Sequence, residues 1–510
     1  MNAAQFSGVF LIAGAVLGCS SSTENPALNF GGGAAGAAGA AGANPGPVGV
    51  GGAAGGSTGG AAGLGSGGSA GSAESGGAAG ASGAGGGAVG GAGGSASSGG
   101  GGSAGASAGG TAGAGGNEQT SPGELVASYG QNGFVLGDVA PGFGATWDVR
   151  DASIDAAGRV VLAGVKVTGS IRDFMAVRYE PNGSISFSAT DDIGGHADEA
   201  DAVAVTGAGK MVLAGRAETG VSAHIGLVRY RADGAIDKTF DVDGKVMTQV
   251  GWSSRAWDVV AGDDEIVVAG ETAPLSGERD FCVVRYDATG KPKTSFDFDG
   301  VASVDFGSDD RALALAVQAD GRVVVAGSVG SDEIGVARLN ADGSLDKTFG
   351  AKHDGTVRWV AGNGVTPRAV ATSPNGRIVV AAALGKDFFA IALSANGALD
   401  LGFNSDGKAV FDYSANDEPR SVLIDASGDV LIGGAALGGT PSNSHAALLR
   451  LSPSGMPDLA FGVGGLALHA KSPTNGERAL AVRAVADGYL VAGTQAVSGG
   501  VRMLSMKVAR

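Results

Sequence analysis

Val323-Val324-Val325-Ala326-Gly327 is the clearest copy of an apolar strand that occurs seven times in the last three quarters of this 510-residue sequence. Clear copies also end at Gly164, Gly215, Gly270 and Gly493, and weaker ones end at Ala382 and Gly434. Successive copies end 51 to 59 residues apart. A period near 50 residues that contains several short strands is typical of a β-propeller.

The repeat that contains Val323 shows the plan of one blade. It has four apolar or alternating segments, at 301–306, 312–318, 322–327 and 334–339. Turn-forming residues such as Asp320-Gly321 separate them. The third segment is almost wholly apolar, as is expected where neighbouring sheets cover both of its faces. We therefore predict an all-β fold, a seven-bladed β-propeller with about four antiparallel strands per blade.

An aromatic residue recurs in the connector that follows the fourth strand. It lies six residues after a glycine in five copies, namely Phe240, Phe296, Phe349, Phe403 and Phe461. We predict that this residue packs between adjacent blades.

The two ends of the repeat region indicate how the ring closes. The last repeat stops at Arg510 without a connector, and a connector-like segment stands alone at 122–133, with Tyr129 at the aromatic position. We predict that the first and last blades are adjacent in a closed ring, which leaves no exposed sheet edge.

The segment from Asp320 to Gly350 resembles the delta-60 repeat, a bacterial repeat grouped as a propeller domain of unknown function. The resemblance extends over 123–510, and repeats five and six depart from it, with Ala382 for glycine and Ala392 for the basic residue. It implies a propeller and often a cell-envelope setting. It supplies no known catalytic residues.

The N-terminus predicts export. Residues 6–18 are uncharged and too few to span a bilayer, as is typical of a signal sequence. Cys19 follows Leu17-Gly18 as in a bacterial lipobox, and Ser20 is not Asp, so the resemblance implies lipidation of Cys19 and an outer-membrane anchor, on its periplasmic side or at the cell surface. Residues 1–7 lack Lys and Arg, so we expect the true start to lie upstream. The alternative is an ordinary secretory signal with a chance cysteine.

Three segments follow from this composition: a signal peptide at 1–18, a lipidated cysteine with a tether at 19–116, and the propeller at 117–510. Residues 31–116 are mostly Gly, Ala and Ser with one charge, Glu74. Such a segment cannot bury enough apolar surface to order, so we expect a disordered linker with a span of roughly 50 Å. The second cysteine, Cys282, is expected to be a buried apolar residue without a disulfide.

Charge limits the partners of the propeller. Beyond residue 116 there are 48 acidic and 34 basic residues. An acidic surface disfavours nucleic acid and anionic membranes, so we expect membrane contact only through the N-terminal lipid. The expected partner is an envelope or extracellular protein or glycan, and the expected state is a monomer.

A ring of arginines is the main candidate site. Comparison of the repeats aligns five arginines just before the second strand, with Ala145 and Glu199 in the other two repeats; the five are Arg255, Arg311, Arg368, Arg420 and Arg478. On one rim of a propeller they could bind a carboxylate, a phosphate or an acidic glycan. The alternative is that each pairs with a nearby turn aspartate, such as Asp309 or Asp310 beside Arg311.

The tryptophans divide into two pairs. Trp147 and Trp257 align at one repeat position and are expected in the core. Trp252 and Trp359 lie near strand ends and are candidate aromatic contacts for a ligand.

Metal and cofactor sites are not predicted. The residue that opens the fourth strand is often Asp or His, as in Asp280 and His224, but one such residue per blade should lie too far from the next to share an ion. The Asp-X-Asp-Gly segments at 241–244 and 297–300 lack further ligands for calcium and are interpreted as tight turns. The basic residue of the fourth strand and the connector aspartate are interpreted as structural.

No catalytic motif accompanies the five histidines, so we expect a non-catalytic binding module. Two alternatives stay open: a structural spacer for display, and a hydrolase or lyase that acts on a polysaccharide. Clustered channel carboxylates would favour the enzyme, and an arginine-rich or aromatic face would favour binding.

Overall fold

The computed structural model describes residues 120–138, 147–362, 364–413, 416–438, 443–472, 474–498 and 500–510. All the regular elements within these ranges are β-strands. Among the same residues, no helix has the length and apolar character that crossing a membrane requires. The predicted signal peptide, Cys19 and the tether fall outside these ranges.

Twenty-eight strands form seven four-stranded antiparallel sheets, the seven blades. Strand β1 (Phe134–Leu136) precedes blade 1, which contains β2 (Trp147–Ile154), β3 (Val160–Thr168), β4 (Ile171–Tyr179) and β5 (Ile185–Asp191). Blade 2 contains β6 (Glu199–Val205), β7 (Met211–Glu218), β8 (Ala223–Tyr230) and β9 (Lys245–Thr248). Blade 3 contains β10 (Ser253–Ala261), β11 (Glu265–Ala273), β12 (Asp280–Asp287) and β13 (Val301–Val304).

The remaining blades repeat this plan. Blade 4 contains β14 (Asp310–Val317), β15 (Val323–Val329), β16 (Glu333–Leu339) and β17 (Thr356–Val360). Blade 5 contains β18 (Val365–Thr372), β19 (Ile378–Leu384), β20 (Asp387–Leu393) and β21 (Lys408–Phe411). Blade 6 contains β22 (Asp417–Ile424), β23 (Val430–Gly438), β24 (Asn443–Leu451) and β25 (Leu466–His469). Blade 7 contains β26 (Glu477–Val485), β27 (Gly488–Val497), β28 (Gly500–Val508) and β1.

The first strand of each blade is the innermost one. These inner strands contact one another from blade to blade all the way round, and β2 contacts β26, so the ring is closed. Strand β1 completes blade 7 by pairing with β28, with Phe134 opposite Met506. The predicted seven-bladed propeller with adjacent first and last blades is therefore confirmed.

The sequence repeat and the blade are out of phase by one strand. The segment at 301–306, which opens the repeat in the sequence, contributes β13, and β13 pairs with β12 as the outermost strand of the preceding blade. The same offset places β1 on blade 7. Each repeat therefore supplies strands to two blades, which links neighbours covalently.

Every inner strand contains a β-bulge, an extra residue that interrupts its pairing with the second strand. In blade 4 the interruption falls between Ala312 and Ala314. The bulge brings the Arg311 carbonyl so close to Gly327 that a Cβ at position 327 would lie 1.8 Å from the oxygen. The close approach of the backbone therefore accounts for the glycine of the recurring Val-Val-Val-Ala-Gly segment. Gly270 lies equally close to the carbonyl oxygen of Arg255.

The connector aromatics pack between blades, as predicted. Phe349 of blade 4 is fully buried, and its ring lies against Gly397 in the connector of the next blade. Arg338 lies over this ring, binds Asp346 at 2.8 Å and donates to the carbonyl of Ala395. Arg338 is the basic residue of the fourth segment of the sequence repeat, which is the third strand of the blade (β16). The predicted structural role of this arginine and of the connector aspartate is therefore confirmed in this blade. The aromatics that are fully buried in this way are Phe240, Phe296, Phe349, Phe403 and Phe461.

Candidate functional site

The central channel widens into a cavity on the face where the inner strands begin. Its volume is about 980 Å³, and residues of all seven blades line it. Most of its charged lining comes from two positions in each inner strand, the bulge residue and the residue two places before it, here called the rim position. The rim residues are Asp148, Glu199, Arg255, Arg311, Thr366, Glu418 and Arg478, and the bulge residues are Arg150, Asp201, Trp257, Leu313, Arg368, Arg420 and Leu480.

All five predicted arginines line this cavity, but they do not occupy one equivalent position. Arg255, Arg311 and Arg478 are rim residues, whereas Arg368 and Arg420 are bulge residues. The repeat comparison aligned Arg-Ala and Arg-Ser pairs and overlooked that Arg368 and Arg420 each follow a proline. The number of residues between the arginine and the glycine of the following Val-Val-Val-Ala-Gly-like segment gives the correct register. Arg420 precedes Gly434 by 14 residues, whereas Arg311 precedes Gly327 by 16.

Blade 1 also differs from the prediction. Its rim residue is Asp148 rather than Ala145, and its bulge residue is Arg150, a sixth arginine of the cavity that the repeat comparison missed.

On the side of blades 1 to 3, the arginines are neutralised by carboxylates. Arg150 lies 2.5 Å from Asp201 and 3.0 Å from Glu199. Arg255 binds the same two carboxylates from the other side, at 2.5 and 2.9 Å. Burial alone would raise the pKa of Glu199, but the nearby arginines outweigh it and lower the pKa to about 2. This network holds the inner strands of blades 1, 2 and 3 together and leaves no spare positive charge.

Arg311 on blade 4 is also compensated. It lies 3.3 Å from Asp309 and 3.4 Å from Glu271, and Arg279 binds Asp309 at 2.7 Å. The predicted alternative, pairing with a turn aspartate, therefore describes Arg311. The neighbouring Asp310 has a different role, since its carboxylate accepts the N–H of Phe306 and fixes the loop before the strand.

Blades 5 to 7 present three arginines with one carboxylate among them. Arg420 lies 3.0 Å from Glu418. Arg478 donates to the Val149 carbonyl and the Thr494 hydroxyl, both neutral groups. Arg368 makes no hydrogen bond or ion pair with any described residue. Burial, together with the charge of Arg420, lowers the pKa of Arg368 and of Arg478, so each positive charge disfavours the others. We call these residues the arginine triad.

Two aspartates line the same cavity just beyond the bulges. Asp151 accepts the N–H groups of Val203 and Ala152, at 2.8 Å each. Asp258, its equivalent on blade 3, accepts those of Leu315 and Val259. Burial raises the pKa of Asp151 to about 6, and burial with repulsion from Asp151 raises the pKa of Asp258 to about 7. Neither aspartate was singled out from the sequence.

Trp147 and Trp257 do not share a position, contrary to the sequence alignment. Trp147 precedes the rim residue of blade 1 and is buried in the core between blades 7 and 1. Trp257 is the bulge residue of blade 3 and lines the cavity, where the Arg255 guanidinium lies 3.9 Å from its ring centroid. The bulge turns Trp257 out of the core, which periodicity alone does not reveal.

The two candidate aromatic contacts have different surroundings. Trp252 is 43% exposed and lies on a groove of about 280 Å³ between blades 2 and 3, beside Arg216, Glu218 and Ser222. Trp359 is half-buried on β17 and packs against the core between blades 4 and 5. Of the pair, Trp252 is therefore the one placed to stack with a ligand.

Two aspartate clusters lie at blade junctions on the same face as the cavity. Asp280, Asp305 and Asp310 each offer an oxygen within 4.8 Å of the others, and Asp387, Asp412 and Asp417 do the same two blades further on. Asp280 and Asp387 open the fourth segment of their sequence repeats, which is the third strand of the blade (β12 and β20). Each of them lies close to carboxylates from the adjoining loop and from the next inner strand. A comparison of Asp280 with the equivalent residues of other repeats does not reveal these neighbours, because they come from other positions of the repeat.

A serine and a histidine form a hydrogen bond near the Trp252 groove. Ser222 Oγ lies 3.0 Å from His224 Nε2, and the buried Nδ1 of His224 has no hydrogen-bond partner. A nucleophile and base of this kind need a third group on Nδ1 to orient the imidazole. The pair is therefore interpreted as a hairpin contact between residues two apart.

The sequence matches the profile of one family, described as "Domain of unknown function (DUF5122) beta-propeller", at 209–240, 261–296 and 318–349. These segments fall in the repeats that supply blades 2 to 4. The prediction of a propeller repeat of unknown function is thus supported. No curated protein matches the chain.

Solved propellers share the architecture at low sequence identity. Sqt1 from Chaetomium thermophilum, bound to the N-terminus of the ribosomal protein L10, is 12% identical, with 74% of this chain and 99% of that chain covered and a TM-score of 0.39. The Dos1 propeller is 10% identical, with 74% and 88% covered and a TM-score of 0.39. A glucose dehydrogenase is 12% identical, with 57% and 94% covered and a TM-score of 0.33. These likenesses are too remote to bear on function, so the chain is identified only as a β-propeller whose repeats resemble a family of unknown function.

Proposed function

We propose that this protein is a non-catalytic binding module that holds an anionic group of a protein or glycan at the mouth of its central channel. The arginine triad supplies the main contacts. In this proposal the head is exported and attached to the outer membrane through the predicted lipid on Cys19 and the glycine-rich tether.

The observation that carries the proposal is the uneven compensation of charge around one cavity. Glu199 and Asp201 form ion pairs with Arg150 and Arg255, whereas among the described residues Glu418 is the one carboxylate in ion-pair contact with the triad. Arg368 is exposed and Arg420 and Arg478 are half-buried, so their guanidinium groups are open to a ligand, and the shortage of carboxylates beside them favours a role in binding. Guanidinium groups bind carboxylates and phosphates through paired N–H donors, which identifies the complementary ligand chemistry.

The size of the cavity also fits an extended ligand. A volume of about 980 Å³ exceeds that of a simple inorganic anion and is typical of sites for larger ligands. The acidic residues of the whole chain outnumber the basic ones by 16, so the triad is a local positive region on an acidic molecule. Such a contrast orients an anionic ligand toward the cavity and away from the rest of the surface.

The test compares two triple variants of the full chain as immobilised baits for envelope and culture extracts. The first is Arg368→Gln with Arg420→Gln and Arg478→Gln. The second, the matched control, is Lys238→Gln with Lys347→Gln and Lys352→Gln, three exposed lysines outside the cavity. Both remove three positive charges. Circular dichroism and thermal melting establish that each variant is folded.

We expect a partner that binds to the wild type and to the lysine control but not to the triad variant. For an isolated partner, Arg420→Gln alone should weaken binding at least tenfold, because a hydrogen bond to a charged group contributes about 1.5–3 kcal/mol. Equal retention by all three baits would contradict the role of the triad. Retention by none would favour the spacer, and turnover of a polysaccharide by the wild type would favour the enzyme.

A further inference from the structure

We infer that Asp151 is the internal counter-charge of the arginine triad, and that an anionic ligand therefore binds at the channel mouth together with a proton. The inference rests on the proposed function and adds how that site responds to pH.

Asp151 and the triad line one cavity from different sides. Asp151 belongs to β2 of blade 1, and the triad belongs to the inner strands of blades 5, 6 and 7. Arg420 is the cation whose charge acts on Asp151 and favours the ionised carboxylate. The hydrogen bonds from Val203 and Ala152 hold this carboxylate in place, so it cannot turn away when a ligand arrives.

The other charged groups on strands packed against β2 have partners of their own. Glu199 and Asp201 on β6 bind arginines, and Lys166 on β3 also has a partner. Arg478 and Arg483 on β26 donate to backbone carbonyls of β2, at Val149 and Ile154. On β28, Arg502 binds Gln495 and Lys507 binds Asp487. Across the channel, Asp258 and Asp151 repel each other.

An anion held by Arg420 lies in the field of Asp151. The two negative charges repel each other, and the repulsion is removed when Asp151 is protonated. Because burial already places the pKa of Asp151 at about 6, the proton is available near neutral pH. By linkage, a ligand that raises this pKa further binds with proton uptake, so its affinity increases as the pH falls from about 8 toward 6 and then levels off.

The experiment uses sulfate as the probe, because it keeps a charge of about −2 between roughly pH 5.5 and pH 8.5. Sulfate is titrated into the full chain by calorimetry at constant ionic strength, in two buffers with different enthalpies of ionisation, so that proton uptake is measured directly. The variants are Asp151→Asn, which removes the charge and keeps one of the two acceptor oxygens that Ala152 and Val203 use, and Asp258→Asn, which makes the same change on blade 3 and so controls for the lost hydrogen bond.

For the wild type we expect the Kd for sulfate to fall about tenfold between pH 8 and pH 6, with up to one proton taken up per sulfate. Asp151→Asn should bind tightly already at pH 8, with a flat pH profile. Asp258→Asn should keep the pH dependence with its midpoint at lower pH, because one source of repulsion is lost.

Three results would overturn the inference. A wild type that binds sulfate equally at all pH values would refute proton coupling but leave the binding function intact. Persistence of the full pH dependence in Asp151→Asn would assign the proton to another group. Absence of sulfate binding by the wild type at every pH would refute the anion site itself, and the inference with it.

Discussion

Asp151 and Asp258 illustrate how single side chains join neighbouring blades. Each carboxylate accepts the N–H of an inner strand in the next blade, at Val203 and at Leu315. Those N–H groups lie on the free edge of the inner strand and would otherwise lack a partner within the sheet. Blades 2, 4, 5 and 7 carry alanine at the equivalent position, as at Ala202, so this contact is not general to the fold.

The pH dependence of stability follows from Asp258. Its pKa is raised to about 7 in the folded chain from an ordinary value of 3.8, so its stabilising contribution is fully present below about pH 4 and is lost as the pH rises through 7. Asp258→Asn removes this charge but also one of the two oxygens that accept the N–H groups of Val259 and Leu315, at a cost that is the same at every pH. We predict that the change in the free energy of unfolding is about 2 kcal/mol more favourable at pH 8 than at pH 4, after allowance for water in the channel.

Chemical denaturation at the two pH values measures this difference. Asp264→Asn, at an exposed position one turn away from the channel strand, removes the same charge and serves as the control. An equal change in stability at pH 8 and pH 4 would contradict the prediction, because the ionised carboxylate would then carry no cost in the folded chain.

At the residue scale, sequence reasoning found five of the six cavity arginines but not their grouping. Arg368 was expected to be equivalent to Arg255, yet it is a bulge residue without a carboxylate partner, whereas Arg255 is fully paired. The difference depends on the side chains of other blades, such as Asp201, which no repeat-by-repeat comparison considers. Asp151 is missed for a related reason, because its burial in the channel and its hydrogen bond to Val203 on blade 2 depend on a neighbouring blade.

Among the elements, the inner strand is the one that combines folding with function. Its bulge explains why the second strand contains a glycine in six of the seven blades, since the displaced carbonyl occupies the space of a side chain. The sequence predicted the strands and their turns because apolar patterns and Gly-containing turns are local signals. It did not predict the bulge, because one extra residue leaves the apolar pattern of the second strand unchanged.

We predict that Gly327→Ala is strongly destabilising. The new methyl group would lie 1.8 Å from the Arg311 oxygen, which belongs to the backbone, so β14 and β15 would have to move apart at this point. We expect a cost of roughly 3 kcal/mol, as for overpacking of a core site, and a shift of Arg311 away from the cavity. Thermal melting measures the first effect.

Blade 5 supplies the control, since it already carries Ala382 at this position, opposite Pro367. The reverse change, Ala382→Gly, should alter the free energy of unfolding by less than about 1 kcal/mol. Equal tolerance of both substitutions would mean that the bulge is soft and that the glycine is not required by the carbonyl.

For the whole molecule, the segment that precedes blade 1 contributes to closure of the ring, because β1 pairs with β28 and Leu125 forms a bridge with Val508. Phe134 and Val135 of β1 are buried, and β1 is the outermost strand of blade 7. The prediction of closure succeeded because the missing connector of the last repeat is visible as a separate segment at 122–133. It did not reveal that β1, rather than the connector alone, crosses to the last blade.

We predict that a chain that begins at Asp138 loses several kcal/mol of stability. Burial of Phe134 and Val135 contributes about 1.5–3 kcal/mol each, and the pairing with β28 is lost as well. The melting temperature should fall by at least about 10 °C, and the exposed edge of β28 should promote association. A chain that begins at Thr120 is the control and should melt like the full chain. Equal melting of the two shortened chains would show that β1 is not needed for closure.

The bulge has a consequence for how such a protein can diversify. It places one side chain per blade outside the strand ladder and toward the channel, so that Arg150, Asp201, Trp257 and Leu313 occupy equivalent places in successive blades with different chemistry. Specificity can therefore change by substitution in one blade at a time, while duplication of whole repeats preserves the architecture. A library that varies the bulge positions of blades 3 to 6, and keeps Arg150, Asp201 and the buried Leu480, would sample new ligands while the ion pairs and core contacts of the other blades stay in place.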